Sequence, residues 1–176
     1  MDTKLISILI FTITMVLATP HGGSATDDVI AQACNRAMYK DFCVALLKSD
    51  PESENADLPT LGTIALKLAR SNATYIQNDI QKLLNPNSNP SLKLSLHDCA
   101  ENYEEAGDHL QESVSAFGSK RYNDVLTWVS AAMGNADSCA EGFKDLKRQS
   151  PIAAMNENFN KLCSSVLAIV NVIAER

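Results

Sequence analysis

The chain has 176 residues, 45% of them hydrophobic and 20% charged, with a net charge of −6, which is room for one ordinary domain and little more. Six prolines, seven glycines and 6% aromatics argue against a many-turned all-β fold and suit a helical core of Leu, Ile, Val and Ala. The acidic balance disfavours nucleic acid and anionic membranes, which would repel it, and favours a basic partner.

Lys4 precedes an almost unbroken apolar run from Leu5 to Leu17, too short to cross a bilayer comfortably. Small residues follow, so residues 1–25 read as a secretory signal peptide. Cleavage after Ala25, with Gly23 and Ala25 as the small residues, is preferred to cleavage after Ala18, because ordered-looking sequence begins at Asp27. Losing Lys4 and Asp2 together leaves the net charge unchanged. Residues 26–176 then form the mature domain, a hairpin over 26–49 and a bundle over 57–176. No other apolar stretch is long enough to span a bilayer, so this part is expected to be soluble, extracellular and free of membrane.

Asp27 to Ser49 is helical in tendency but broken into short pieces, with Cys34 and Cys43 nine positions apart. Helices this short are marginal alone, so a local bridge between the two cysteines would close a small helical hairpin. The polar stretch Asp50 to Ala56, with Pro51, reads as a linker.

Four long helices follow. Asp57 caps the first, Pro59 lies in its first turn, and Leu61, Ile64, Ala65, Leu68, Ile76, Ile80 and Leu83 form its apolar stripe until Asn85-Pro86 ends it near Leu84. Asn89-Pro90 opens the second, whose stripe is Leu92, Leu96, Cys99, Tyr103, Ala106, Leu110, Val114 and Phe117, with Gly118 as the glycine just past its end. The third runs from about Asn123 to Leu146 on Val125, Val129, Ala132, Ala136, Cys139, Phe143 and Leu146. The fourth opens at Ser150-Pro151 and carries Met155, Phe159, Leu162, Val166, Ile169 and Ile173 towards the C-terminus. Such stripes on helices joined by short loops mean antiparallel neighbours. The fold class is all-α: an up-down four-helix bundle preceded by a short disulfide-closed N-terminal helical hairpin.

All five cysteines lie in the mature part, which in an oxidising compartment suggests two bridges and one leftover thiol. Cys99 and Cys139 sit on core-facing positions at similar heights on either side of the Gly118–Tyr122 turn and should pair. The chain-entropy model credits their loop with about 4 kcal/mol and the hairpin loop with about 2.5 kcal/mol. Cys163 is left as a free thiol at the edge of the core, acting as a small hydrophobe.

Signals of catalysis are missing. No cysteine–histidine cluster has zinc spacing, so neither metal nor cofactor is expected. His97 and His109, twelve apart on one helix, make no dyad, and no nucleophile elbow, phosphate loop or dinucleotide fingerprint is present. Glu101, Glu104, Glu105, Asp108 and Glu112 read as a solvated acidic face. The one candidate glycosylation site, Asn72-Ala73-Thr74, falls mid-helix beside the apolar stripe rather than on a loop.

Cys34-x8-Cys43 with Asp41-Phe42-Cys43, then Leu96-His97-Asp98-Cys99-Ala100-Glu101-Asn102-Tyr103-Glu104-Glu105-Ala106, then Ser130-Ala131-Ala132 before Cys139-x-Glu141-x-Phe143, resemble the plant invertase and pectin methylesterase inhibitor family. Ser49-Asp50-Pro51 and Ala56-Asp57-Leu58 look most like its pollen-allergen-like branch of invertase inhibitors. The resemblance implies the same bundle, the same two bridges and an apoplastic or vacuolar protein that forms a one-to-one complex covering the active site of an acid invertase or a pectin methylesterase. In that family the invertase inhibitors use a Pro-Lys-Phe motif near the turn between the second and third long helices. Ser119-Lys120-Arg121-Tyr122 stands there, keeping a cation and an aromatic without the proline, so Lys120, Arg121 and Tyr122 are the candidate target-binding residues. Pectin methylesterase inhibition is the alternative and would use the bundle's flank. Two readings of another class are an apolar-ligand carrier, which would need a cavity, and a target-less pollen or defence protein on the same fold.

Overall fold

A computed structural model describes residues 25–84 and 89–176. The secretory signal falls almost wholly outside the described residues, as does the Asn85-Pro86 stop. The described part is all helical: α1 (Ala25–Ala33), α2 (Lys40–Lys48), a 3-10 turn (Pro51–Ser53), α3 (Leu58–Leu83), α4 (Pro90–Gly118), α5 (Tyr122–Asp145) and α6 (Ala153–Ala174).

Capping fixes the starts of the long helices. The Asp57 carboxylate accepts from the Thr60 N–H at 2.9 Å, and the Asn89 side chain from the Ser91 N–H at 3.0 Å, each satisfying a donor that the first turn leaves open. The last long helix starts later than its Ser150-Pro151 signal. Ser150 Oγ accepts from the Ile152 N–H at 3.2 Å, and the extra turn sinks Ile152 fully into the core before α6 begins at Ala153.

α3 packs on α4 and α6, and α5 on α4 and α6, so the four long helices make a square. Particular contacts fix their directions. Gly62 at the start of α3 meets Phe117 at the end of α4 and Ile173 at the end of α6. Cys99, early in α4, is bridged to Cys139, late in α5, with their Cα atoms 4.7 Å apart. Neighbours are therefore antiparallel, as the stripes predict.

The core follows the stripes with instructive departures. Leu83 and Leu146 end their helices exposed, and Val114 is only half-buried while Ser113 is sealed. Ser113 tolerates that place because its hydroxyl donates to the His109 carbonyl at 2.9 Å, the back-bond by which a mid-helix serine satisfies itself. At the centre, Tyr103 OH donates to Asn156 Oδ1 at 2.8 Å, joining α4 to α6, and the Tyr103 ring meets Phe159 edge-on at 5.4 Å. Burial pushes the Tyr103 phenol well above its ordinary value.

The hairpin is closed by Cys34–Cys43, nine positions apart with Cα atoms 5.8 Å apart. It is not an appendage, since Ile30, Ala33, Cys34, Cys43 and Leu47 join the same buried cluster as the bundle and pack on α3 and α6. The stretch read as a polar linker is itself folded. Asp50 accepts from the Glu52 N–H at 2.8 Å to cap the 3-10 turn, and Ser53 and Ala56 are buried. No helix of the described residues is long and apolar enough to cross a membrane.

Candidate target-binding surface

The turn between α4 and α5 is built by the backbone. Lys120 N–H donates to Phe117 O and Arg121 N–H to Ala116 O, both at 2.9 Å, the paired bonds of a Schellman ending. The left-handed residue in that motif is Lys120, at φ 57°, and this corrects the reading of Gly118. Gly118 is the last residue of α4 and carries no positive φ, because the chain reverses two residues further on. Lys147 repeats the device after α5, at φ 52° with Arg148 N–H on Phe143 O at 3.0 Å.

Placing the bend at Lys120 leaves Ser119, Lys120 and Arg121 exposed. Arg121 is steadied by an ion pair with Asp124 one turn into α5. Tyr122 is half-buried, its ring edge-on to buried Phe117 at 5.6 Å and 63°. A shallow groove of about 390 Å³ runs between residues 120–124 and Ala174 of α6. The structure thus brings Lys120, Arg121 and Tyr122 together at one end of the bundle, an aromatic flanked by two cations.

The flank between α4 and α5 has a different chemistry. His109 lies nearly parallel to Trp128 with ring centroids 5.3 Å apart, so it faces across to α5 rather than towards His97, which is exposed further back. Glu105 accepts from Asn135 Nδ2 at 2.8 Å across the same seam, while Glu101, Glu104, Asp108 and Glu112 stand exposed. The other sequence candidates lie apart from both surfaces. Cys163 is sealed in the core, where burial pushes its thiol far up and leaves it without thiolate character. Asn72 is half-buried midway along α3, over fully buried Ala73. A groove of about 470 Å³ between α5 and α6 has Asp137, Lys144, Arg148 and Glu157 on its rim beside Ala140, Phe143 and Ala153. Among the described residues no cluster of three His, Cys, Asp or Glu side chains could hold a metal.

The sequence matches the plant invertase/pectin methylesterase inhibitor family over residues 28–169. The chain belongs to that family. As a member it is an enzyme inhibitor rather than an enzyme. It is 33% identical over 174 residues to a protein of Platanus acerifolia named "Putative invertase inhibitor", covering 95% of this chain and 96% of that one. It is 28% identical over 144 residues to "Pectinesterase inhibitor 2" of Arabidopsis thaliana, covering 82% and 83%. The crystal structure of a mutant pectin methylesterase inhibitor from Arabidopsis superposes with a TM-score of 0.69 at 25% identity, covering 78% of this chain and 92% of that one.

Two structural features of the surface escaped the sequence reading. The His109–Trp128 stack joins residues on different helices, and nothing in either helix's own pattern announces it. Gly62 did leave a signal, since an isolated glycine inside a helical pattern calls for a packing reason.

Proposed function

We propose that the chain inhibits an acid invertase of the cell wall or vacuole by seating the α4–α5 turn in the enzyme's active-site cleft. The observation that carries this reading is the exposed Lys120–Arg121–Tyr122 end, with its aromatic braced on Phe117. A glycosidase cleft holds paired carboxylates, and cations presented beside an aromatic complement it. The relative from Platanus acerifolia supports the same target by name. Two disulfides favour an oxidising compartment, in keeping with residues 1–25 as a secretory signal and the apoplast as the site of action.

A second reading, inhibition of pectin methylesterase through the α4–α5 flank, is favoured by the Arabidopsis relative and by the half-exposed Trp128 on that face. Titrating the refolded mature protein against both purified enzymes at acidic pH separates the two. Truncating an aromatic or a cation that becomes buried in an interface costs roughly 2 kcal/mol or more at a hot spot. Lys120→Ala with Tyr122→Ala should therefore weaken invertase inhibition by at least about tenfold, leave the circular dichroism spectrum unchanged and barely affect any esterase inhibition. Undiminished invertase inhibition by the double variant would assign the turn a structural role only, and inhibition of the esterase but not of invertase by the unaltered protein would move the target to the esterase.

A further inference from the structure

Glycine in a helix interior weakens the helix relative to alanine, yet Gly62 sits in the second turn of α3. Space explains it. A Cβ at position 62 would lie 2.6 Å from Phe117 Cζ and 2.8 Å from Ile173 Cδ1, closer than packed carbons come. At Gly107, Gly118, Gly134 and Gly142 an added Cβ would meet nothing within 4 Å. Of these five described glycines, only Gly62 is held by a neighbour.

What enters the vacancy is the ring that braces the turn. Phe117 is 8% exposed, presses its tip onto the α3 backbone at Gly62, and offers its other side to Tyr122 at 5.6 Å. Each long helix thus contributes one group to this end of the bundle: Gly62 from α3, Phe117 from α4, Tyr122 from α5 and Ile173 from α6. Push the Phe117 ring outward and Tyr122 loses the ring contact that orients it.

We propose that Gly62 is a positioning residue for target recognition: its missing side chain seats Phe117, and Phe117 in turn holds Tyr122 in its binding orientation. This rests on the reading of the α4–α5 turn as the contact surface. Its advantage is preorganisation, because a side chain fixed before encounter has less freedom left to lose.

Three variants test it, each read by invertase inhibition, melting temperature and the ring-proton resonances of Tyr122, assigned with Tyr122→Phe. In Gly62→Ala the Tyr122 resonances should move and inhibition should weaken about tenfold. Phe117→Leu fits the slot without a ring edge, so it should weaken inhibition to a similar degree while the fold is kept, and it serves should Gly62→Ala fail to fold. Gly62→Ala with Phe117→Leu relieves the clash, so melting temperature should return towards wild type while inhibition stays weak. Tyr122 resonances unmoved in Gly62→Ala, undiminished inhibition by Phe117→Leu, or inhibition recovering together with melting temperature in the double, would overturn the proposal and leave Gly62 a packing residue. Failure of the contact reading is seen separately, as undiminished invertase inhibition by Lys120→Ala with Tyr122→Ala.

Discussion

The hydrogen bond from Tyr103 to Asn156 is a polar tie between α4 and α6 at the heart of a mostly apolar bundle. Removing one partner strands the other: Tyr103→Phe leaves the Asn156 oxygen facing a ring, and an unsatisfied buried group costs about 1–3 kcal/mol. The urea midpoint should fall with no change in m-value, and adding Asn156→Leu should recover part of the loss. A double variant no more stable than the single would mean that the bond contributes little beyond packing. At the surface, Asp57 makes a prediction in pH. Its side-chain hydrogen bond with Thr60, and next the bond from the Thr60 backbone, hold its carboxyl below the ordinary aspartate value of 3.8. A folded value below the unfolded one stabilises the fold above 3.8, and that contribution is lost as pH falls through the folded value. The melting-temperature gap between wild type and Asp57→Ala should therefore be constant near neutrality and close in acid. Asp57→Asn, whose amide oxygen caps at any pH, should hold its advantage over Asp57→Ala there. A gap independent of pH would show that the carboxylate charge plays no part.

The long helices were legible because each level of signal agreed: a cap, a first-turn proline and a stripe for α3 and α4, and unbroken stripes for α5 and α6. What escaped was set by partners rather than by the helix itself. Ser113 takes a core position that hydrophobicity assigns to Val114, since rotation of α4 is decided by α3 and α5 and the serine can satisfy its own hydroxyl. Gly118 looked like the residue that reverses the chain, yet a Schellman ending tolerates Lys120 there, at a cost that the turn's hydrogen bonds offset. The candidate site was legible as three residues in the Lys120–Tyr122 turn, but not as a surface, because its brace comes from Phe117 and Gly62 on other helices. The hairpin was read as a local unit, whereas its buried Leu47 belongs to the common core. Cys34→Ser with Cys43→Ser removes about 2.5 kcal/mol of chain-entropy restraint. Hydrogen exchange should then show α1 and α2 opening at lower free energy than α4 and α5, which keep their own bridge. Leu47→Ala, in contrast, should cost about 2–5 kcal/mol and lower protection throughout the bundle. Loss confined to the hairpin in Leu47→Ala would show that it docks as a separable unit.

Across the whole molecule, most packing is between helices adjacent in the chain, the arrangement that lets a bundle fold quickly. The exceptions are α3 against α6 and, furthest apart in the chain, the hairpin. α3 follows it at once, but its other partner, α6, begins at Ala153, about a hundred residues after α2 ends at Lys48. The ion pair between Arg36 and Glu175 joins positions 139 apart. A ribosome adding roughly 5–20 residues per second needs on the order of ten seconds to supply that stretch. Through this interval two nine-residue helices exist without the surface that completes their burial, and helices so short do not persist unaided. The nine-residue bridge from Cys34 to Cys43 needs no part of the chain made later. It can form first and hold α1 against α2 while the bundle is still being synthesised. Oxidation at the first two cysteines is thus a matter of sequence in time: it keeps a half-built dock in shape until the last helix arrives to close it.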